Sequence, residues 1–167
     1  MPALLNHIDP NGLEEFSVVF TDRSLNHMSK EFQKVMCDLS SNLKEVYNAS
    51  AVVLVPGGGT FAMEAVARQF GIEANVMVIR NGWFSYRWSQ IFESSSNARS
   101  TTVLKARMIG NEPLAPFRPA EVDEVIKKIK ADKPDIVFAP HVETSAGVIL
   151  PDDYIKKVAA AAHDVGA

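Results

Sequence analysis

Cysteine is almost missing from this sequence: Cys37 is the only one in 167 residues. That excludes an internal disulfide and a cysteine-based zinc site. The four histidines, His7, His27, His141 and His163, are scattered without metal-ligand spacing, so no metal centre is expected. An excess of positive charge is missing too. Seventeen Lys and Arg face twenty Asp and Glu, for a net charge of -3 and a pI near 5.8. Nucleic-acid and anionic-membrane binders carry a basic footprint, so neither partner is expected, although a local basic pocket remains possible. No apolar run approaches the roughly 20 residues that span a bilayer. The opening MPALLNHIDPNG has no basic segment leading into a long apolar one, so no signal peptide is expected. These absences together point to a cytoplasmic protein. Lysine has a gap of its own, with none between Lys44 and Lys105.

What is present suits one soluble domain: 47% hydrophobic and 22% charged residues, with no repeat and no low-complexity segment. Residues 1–26 show no clear period and read as an N-terminal arm. From Ser29, a plausible N-cap, Phe32, Val35, Met36, Leu39, Leu43, Val46 and Tyr47 form one face of an amphipathic helix. Strands and helices then alternate. Strands are expected at 51–55, 75–79, 101–105 and 135–139. Helices are expected at 60–70, 84–93, through Val122, Val125, Ile126 and Ile129, and from Pro151 to a cap at Gly166. Residues 110–119, with three prolines, read as a loop. This alternation means an α/β domain around a mostly parallel sheet with flanking helices. In such sheets ligands sit beyond the carboxyl ends of the strands. Three strand-end loops, 56–60, 80–87 and 140–147, are therefore candidates for one convergent site. The chain stops just after a helix, where the alternation calls for another strand, so the domain reads as incomplete.

The first loop lies within VLVPGGGTFAMEA, residues 53–65. A bare glycine turn that opens a helix suits an anion held by backbone N–H groups. It is no Walker loop, because Gly59 is followed by Thr60 and Phe61 rather than by lysine. Gly57, Gly59 and Ala62 do satisfy a dinucleotide fingerprint, and Arg80 could meet a 2′-phosphate. The acidic residue expected on the ribose is missing, however. An NADP-binding Rossmann-type domain is thus one alternative. A non-catalytic fragment or interaction module is another.

GGGTFAMEA, RNGWFSYR and HVETSAGVI occur in that order at strand ends. With HMSKEF upstream, the set resembles the class V aminotransferases. These are fold-type-I enzymes dependent on pyridoxal 5'-phosphate (PLP), and the likeness is greatest to the alanine/serine–glyoxylate group. Each motif is modest alone, and the ordered set is more specific. The resemblance spans residues 20–167. It implies that residues 27–167 are the N-terminal portion of a PLP-binding large domain, cut before its lysine-bearing segment.

The resemblance also implies roles. Gly58, Gly59 and Thr60 bind the cofactor phosphate: glycines let the backbone approach, and the threonine hydroxyl adds a donor. Phe84, in Asn81-Gly82-Trp83-Phe84-Ser85-Tyr86-Arg87, lies over the pyridine ring, where many relatives carry tryptophan. Thr144 contacts the ring near its phenolic oxygen, while Glu143 organises the loop and Gly147 permits a sharp turn. The Schiff-base lysine, the aspartate at the pyridine nitrogen and the arginine for the substrate carboxylate all lie downstream in the family. No catalytic residue is therefore assigned in this chain, and the chain alone is expected to be inactive. The intact enzyme is expected to be a homodimer that moves an amino group from alanine or serine to a 2-oxo acid such as glyoxylate.

Overall fold

The computed structural model describes residues 30–167, together with the backbone of two short strands, β1 (Glu14–Glu15) and β2 (Ser24–Leu25). The chain divides into two compact units, Met1–Leu54 and Val55–Ala167. In the first, β1 and β2 pair antiparallel, and α1 (Lys30–Tyr47) covers the predicted amphipathic stretch. It ends at Asn48, which has a φ of 47°, a left-handed stop that asparagine tolerates. The proposed cap Ser29 lies outside the described residues.

The second unit carries the α/β alternation. In order it holds α2 (Gly59–Phe70), β3 (Asn75–Arg80), α3 (Trp83–Ser95), β4 (Ser100–Lys105), β5 (Arg107–Met108) and β6 (Phe117–Arg118). Next come α4 (Val122–Asp132), β7 (Ile136–Phe138), β8 (Val142–Glu143), a 3-10 turn (Thr144–Ala146), β9 (Val148–Ile149) and α5 (Asp152–Asp164). The sheet is parallel, in the order β4-β3-β7. Two small antiparallel pairs, β5–β6 and β8–β9, decorate its loops. The predicted loop at 110–119 thus contains β6 at its end.

β3 is the axis of the unit. Its apolar run Val76–Ile79 is buried on both faces, the pattern expected of a central parallel strand. Met77 and Ile79 pack with Leu104 against Val125 and Ile129 of α4 and Val158 and Ala161 of α5. Val76 and Val78 face the other way, onto Ala67 of α2 and Ile91 and Phe92 of α3. Phe138 closes that second core, its ring 4.1 Å from Trp88 and 5.5 Å from Phe92 between centroids. The result is a three-layer unit with one sheet between two helix pairs. Across it, the Tyr154 hydroxyl of α5 donates to the Ala120 carbonyl at 2.9 Å. Burial, followed by the charges of Glu121 and Glu124, pushes this phenol up to about 12. α5 ends with Val165 as its cap, one residue before the expected Gly166. Among the described residues, no helix is long and apolar enough to cross a membrane.

One predicted element is corrected. Residues 51–55 form no strand, and Val53 is 82% exposed. The sequence there is apolar enough for a buried strand, but among the described residues no neighbouring strand pairs with it. A strand without a partner leaves its backbone groups to water.

Amide hydrogen exchange on the 167-residue chain checks this. Residues 51–55 should exchange close to the unprotected rate while Val76–Ile79 are strongly protected. Comparable protection in both segments would contradict the assignment.

Candidate functional site

The topology sets α2 and α3 at the same end of the sheet. α2 leads into the amino end of β3, so its first turn lies at the strand's carboxyl end; α3 starts there directly after Arg80. The two first turns are neighbours, since Thr60 and Glu64 line one cleft with Tyr86, Arg87 and Gln90. The segment after β7 returns to the same end and folds as the β8–β9 hairpin. Gly147, at its corner, has a φ of 63°, the left-handed region where glycine carries no Cβ penalty.

Two of the three predicted loops are joined by hydrogen bonds around Glu143, which is 0% exposed. Its Oε1 accepts from the Phe84 amide at 3.0 Å and from the Ser145 hydroxyl. Its Oε2 accepts from the Ser85 amide at 2.8 Å and the Ser85 hydroxyl at 2.6 Å. Four donors occupy the acceptor sites of one carboxylate. The serines extend the network: Ser145 Oγ accepts from the Trp83 amide at 2.7 Å, and Ser85 Oγ accepts from the Asn81 and Gly82 amides at 2.8 and 3.1 Å. The first amides of α3 are orphan donors at the positive helix end, and the hairpin supplies their acceptor. Burial alone would raise the Glu143 carboxyl. The hydrogen bonds from Ser145, Ser85 and Phe84 outweigh burial and hold it below its ordinary value of 4.5.

Gly82 is required by the same network. Its φ of 174° is ordinary extended backbone, so conformation is not the reason. A Cβ there would stand 2.5 Å from Ser145 Oγ and 2.7 Å from Glu143 Cγ.

The glycine turn behaves differently. Gly58 caps α2 with a φ of -75° and no side-chain capping bond. Apart from the adjacent backbone, no described residue comes within 4 Å of a Cβ built on Gly58 or Gly59. Neither packing nor, at Gly58, backbone angle calls for glycine, and the space beside this backbone is open. Among the described residues, the amides of Gly59 and Thr60 meet no acceptor. The turn does not follow a strand, which the dinucleotide fingerprint requires.

The sequence-predicted residues are thus placed as follows. Gly58, Gly59 and Thr60 form the open first turn of α2. Phe84, 57% exposed, lies in the first turn of α3. Thr144 starts the 3-10 turn, exposed and next to Glu143. Trp83 is also exposed, its ring 5.8 Å from Tyr86 and 5.6 Å beneath the Arg87 guanidinium. Sequence reasoning missed Ser85 and Ser145. The bonds by which they join the two loops span 58 to 62 positions of the chain, beyond any local signal. No group of three or more potential metal ligands exists among the described residues.

The chain is similar in sequence to proteins described as aminotransferases, and similar in fold to one of known structure. No family model matches the chain. An uncharacterized aminotransferase of Helicobacter pylori (strain ATCC 700392 / 26695) is 28% identical over 149 residues, 89% of this chain and 37% of that protein. A second, from strain J99 / ATCC 700824, is 27% identical over the same share. The crystal structure of ureidoglycine-glyoxylate aminotransferase from Bacillus subtilis matches with a TM-score of 0.65 and 24% identity, over 82% of this chain and 33% of that one. The α/β fold is that of part of an aminotransferase, and the chain spans 37% of the length of the H. pylori relatives.

Replacing Glu143 by alanine strands both serine hydroxyls and the α3 amides, and should cost on the order of 2–4 kcal/mol in urea unfolding at neutral pH. Gly82→Ala should also destabilise. Because the folded carboxyl lies below its unfolded value, its stabilisation is complete above about pH 4.5 and is lost as pH falls through the lower folded value. Glu143→Gln should remove that part of the acid dependence. An unchanged acid transition in Glu143→Gln would show that the carboxylate contributes nothing to it.

Proposed function

We propose that this chain forms the N-terminal part of the large domain of a class V, PLP-dependent aminotransferase. The observation that carries the reading is the open first turn of α2, with unpartnered amides and glycines that nothing in the chain requires, on a fold that matches aminotransferases. The donor set fits a phosphate dianion: two backbone amides, a threonine hydroxyl and the positive helix end. Bound there, PLP would supply an electron sink and a carrier for the amino group.

The chain's own residues then bind and orient. The Gly59 and Thr60 amides and the Thr60 hydroxyl hold the phosphate, and Gly58 leaves room for it. Phe84 offers a flat apolar face to the ring. The Thr144 hydroxyl donates near the phenolic oxygen. Glu143 ties the Phe84 and Thr144 segments together, so both contacts are set before the ring arrives. The substrates of the intact enzyme are a small amino acid, alanine or serine, and a 2-oxo acid such as glyoxylate; the named activity of the B. subtilis neighbour supports the latter. The intact enzyme is a cytoplasmic homodimer in this reading. The 167 residues alone lack a lysine in a matching context and are inactive.

Borohydride reduction of the protein from its native source, followed by intact mass and peptide mapping, tests this. One stoichiometric PLP adduct is expected, on a lysine beyond Ala167, in a chain heavier than 18.3 kDa. A mass of 18.3 kDa without an adduct would end the catalytic reading. In the PLP-binding form, Phe84→Ala should weaken the cofactor about three- to tenfold, and tight NADPH binding in place of PLP would favour the dinucleotide alternative.

A further inference from the structure

Arg80 and Lys105 are the last residues of β3 and β4 and are direct register partners in the parallel sheet. Partnered residues of parallel strands project from the same face. Arg80 follows Val76 and Val78 in the alternation, so both cations lie on the α3 side, at the carboxyl end. Neither has a carboxylate partner. The ion pairs of the described residues engage Arg68, Arg107, Arg118 and Lys128 instead. Arg80 rests 5.0 Å above the Tyr86 ring, with only a 3.5 Å approach to Ser89 Oγ. Among the described residues, Lys105 has no side-chain hydrogen bond or ion pair. Two like charges on adjacent strands repel each other and attract an anion.

These cations line a cleft of about 300 Å³ whose other walls include Trp83, Tyr86 and Phe117. Trp83 and Phe117 are more than half exposed, although one face of the Trp83 ring lies beneath the Arg87 guanidinium. Asn81 also lines the cleft. It is 3% exposed, and neither its Nδ2 nor its Oδ1 has a hydrogen-bond partner. A buried amide without partners is uncommon in a finished structure. Glu143 contacts Gly82 and is not among the residues lining the cleft; its carboxylate is directed to the amides and hydroxyls of its own network.

We propose that this cleft binds a small organic carboxylate with a flat apolar body. The carboxylate lies between Arg80 and Lys105, the flat part lies against Trp83, Tyr86 and Phe117, and Asn81 supplies the polar floor. The volume suits a ligand at the small end of the usual range. Arg80 has the geometry to fork onto a carboxylate, and Lys105 acts as a point charge. The inference does not rest on the PLP reading and does not involve the glycine turn.

Titration of the ¹⁵N-labelled protein with benzoate, benzamide and inorganic phosphate tests it. Benzoate should give saturable shifts at the Trp83 and Ala106 amides and at the Asn81 side-chain NH₂. Lys105→Gln should weaken benzoate by about tenfold. Lys105 is exposed and has no hydrogen-bond or ion-pair partner among the described residues, so the variant should keep its fold, which an unchanged urea-unfolding midpoint checks. Arg80→Gln should weaken benzoate as well. Benzamide binding as tightly as benzoate would overturn the role of charge. Phosphate binding as tightly, with the same shifts, would overturn the role of the rings. The absence of saturable shifts with benzoate would overturn the proposal, whatever the outcome with PLP.

Discussion

A carboxylate with no exposure to water ties together two loops at the carboxyl end of the sheet. Glu143 is buried in the unit, where an ionised group is costly unless its lone pairs are filled. Here they are filled by two amides and two hydroxyls. The same bonds satisfy the otherwise orphaned amides of α3. One side chain thus meets two obligations, its own and the helix's. The β8–β9 hairpin has no core of its own, and its place beside α3 follows from this network. Gly82 shows how close the approach is, since even a methyl group would collide with both Glu143 and Ser145.

The sheet provides the frame on which that contact is built. β3 is buried on both faces, so its residues alternate between two cores. That alternation directs Arg80 toward α3 rather than α4. Register with β4 then brings Lys105 beside it. The carboxyl edge therefore carries two kinds of anionic environment. Glu143 is an anion that the fold has already satisfied, and the cleft at Arg80 and Lys105 has the charges for one that the fold does not supply. The open turn at Gly58 and Gly59 is a third polar surface at the same end, made of backbone rather than side chains.

Much of the fold was legible in the sequence. The helices around Thr60, Phe84, Val122 and Tyr154 and the strands at β3, β4 and β7 all fall where apolar periodicity and glycine or proline stops place them. The exception is informative. Residues 51–55 have the composition of a buried strand, but a strand is a pairing and not a property of five residues. Composition announces the capacity, and a neighbour must realise it. The ends of α3 differed by one or two residues: it starts at Trp83, whose amide finds an acceptor in a distant hairpin, and it runs to Ser95, stopped by the left-handed Ser96. The candidate site was legible in part. The glycine turn, the aromatic stretch and the hairpin each announced themselves by unusual local composition. Ser85 and Ser145 are unremarkable serines until the fold brings Ser85 to Glu143 and the Trp83 amide to Ser145.

The sequence by itself determined the class of the fold, the order of its helices and main strands, and the two loops, 80–87 and 140–147, that follow β3 and β7. All of these follow from periodicities of a few residues, which are local and additive. Tertiary structure alone decided which loops touch, that Glu143 is a buried and saturated acceptor, that Arg80 and Lys105 stand side by side without a counter-charge among the described residues, and that no described strand pairs with residues 51–55. Each of these depends on groups tens of positions apart in the chain. Their energies arise from burial, register and hydrogen-bond geometry, which exist only once the sheet and its helices have packed.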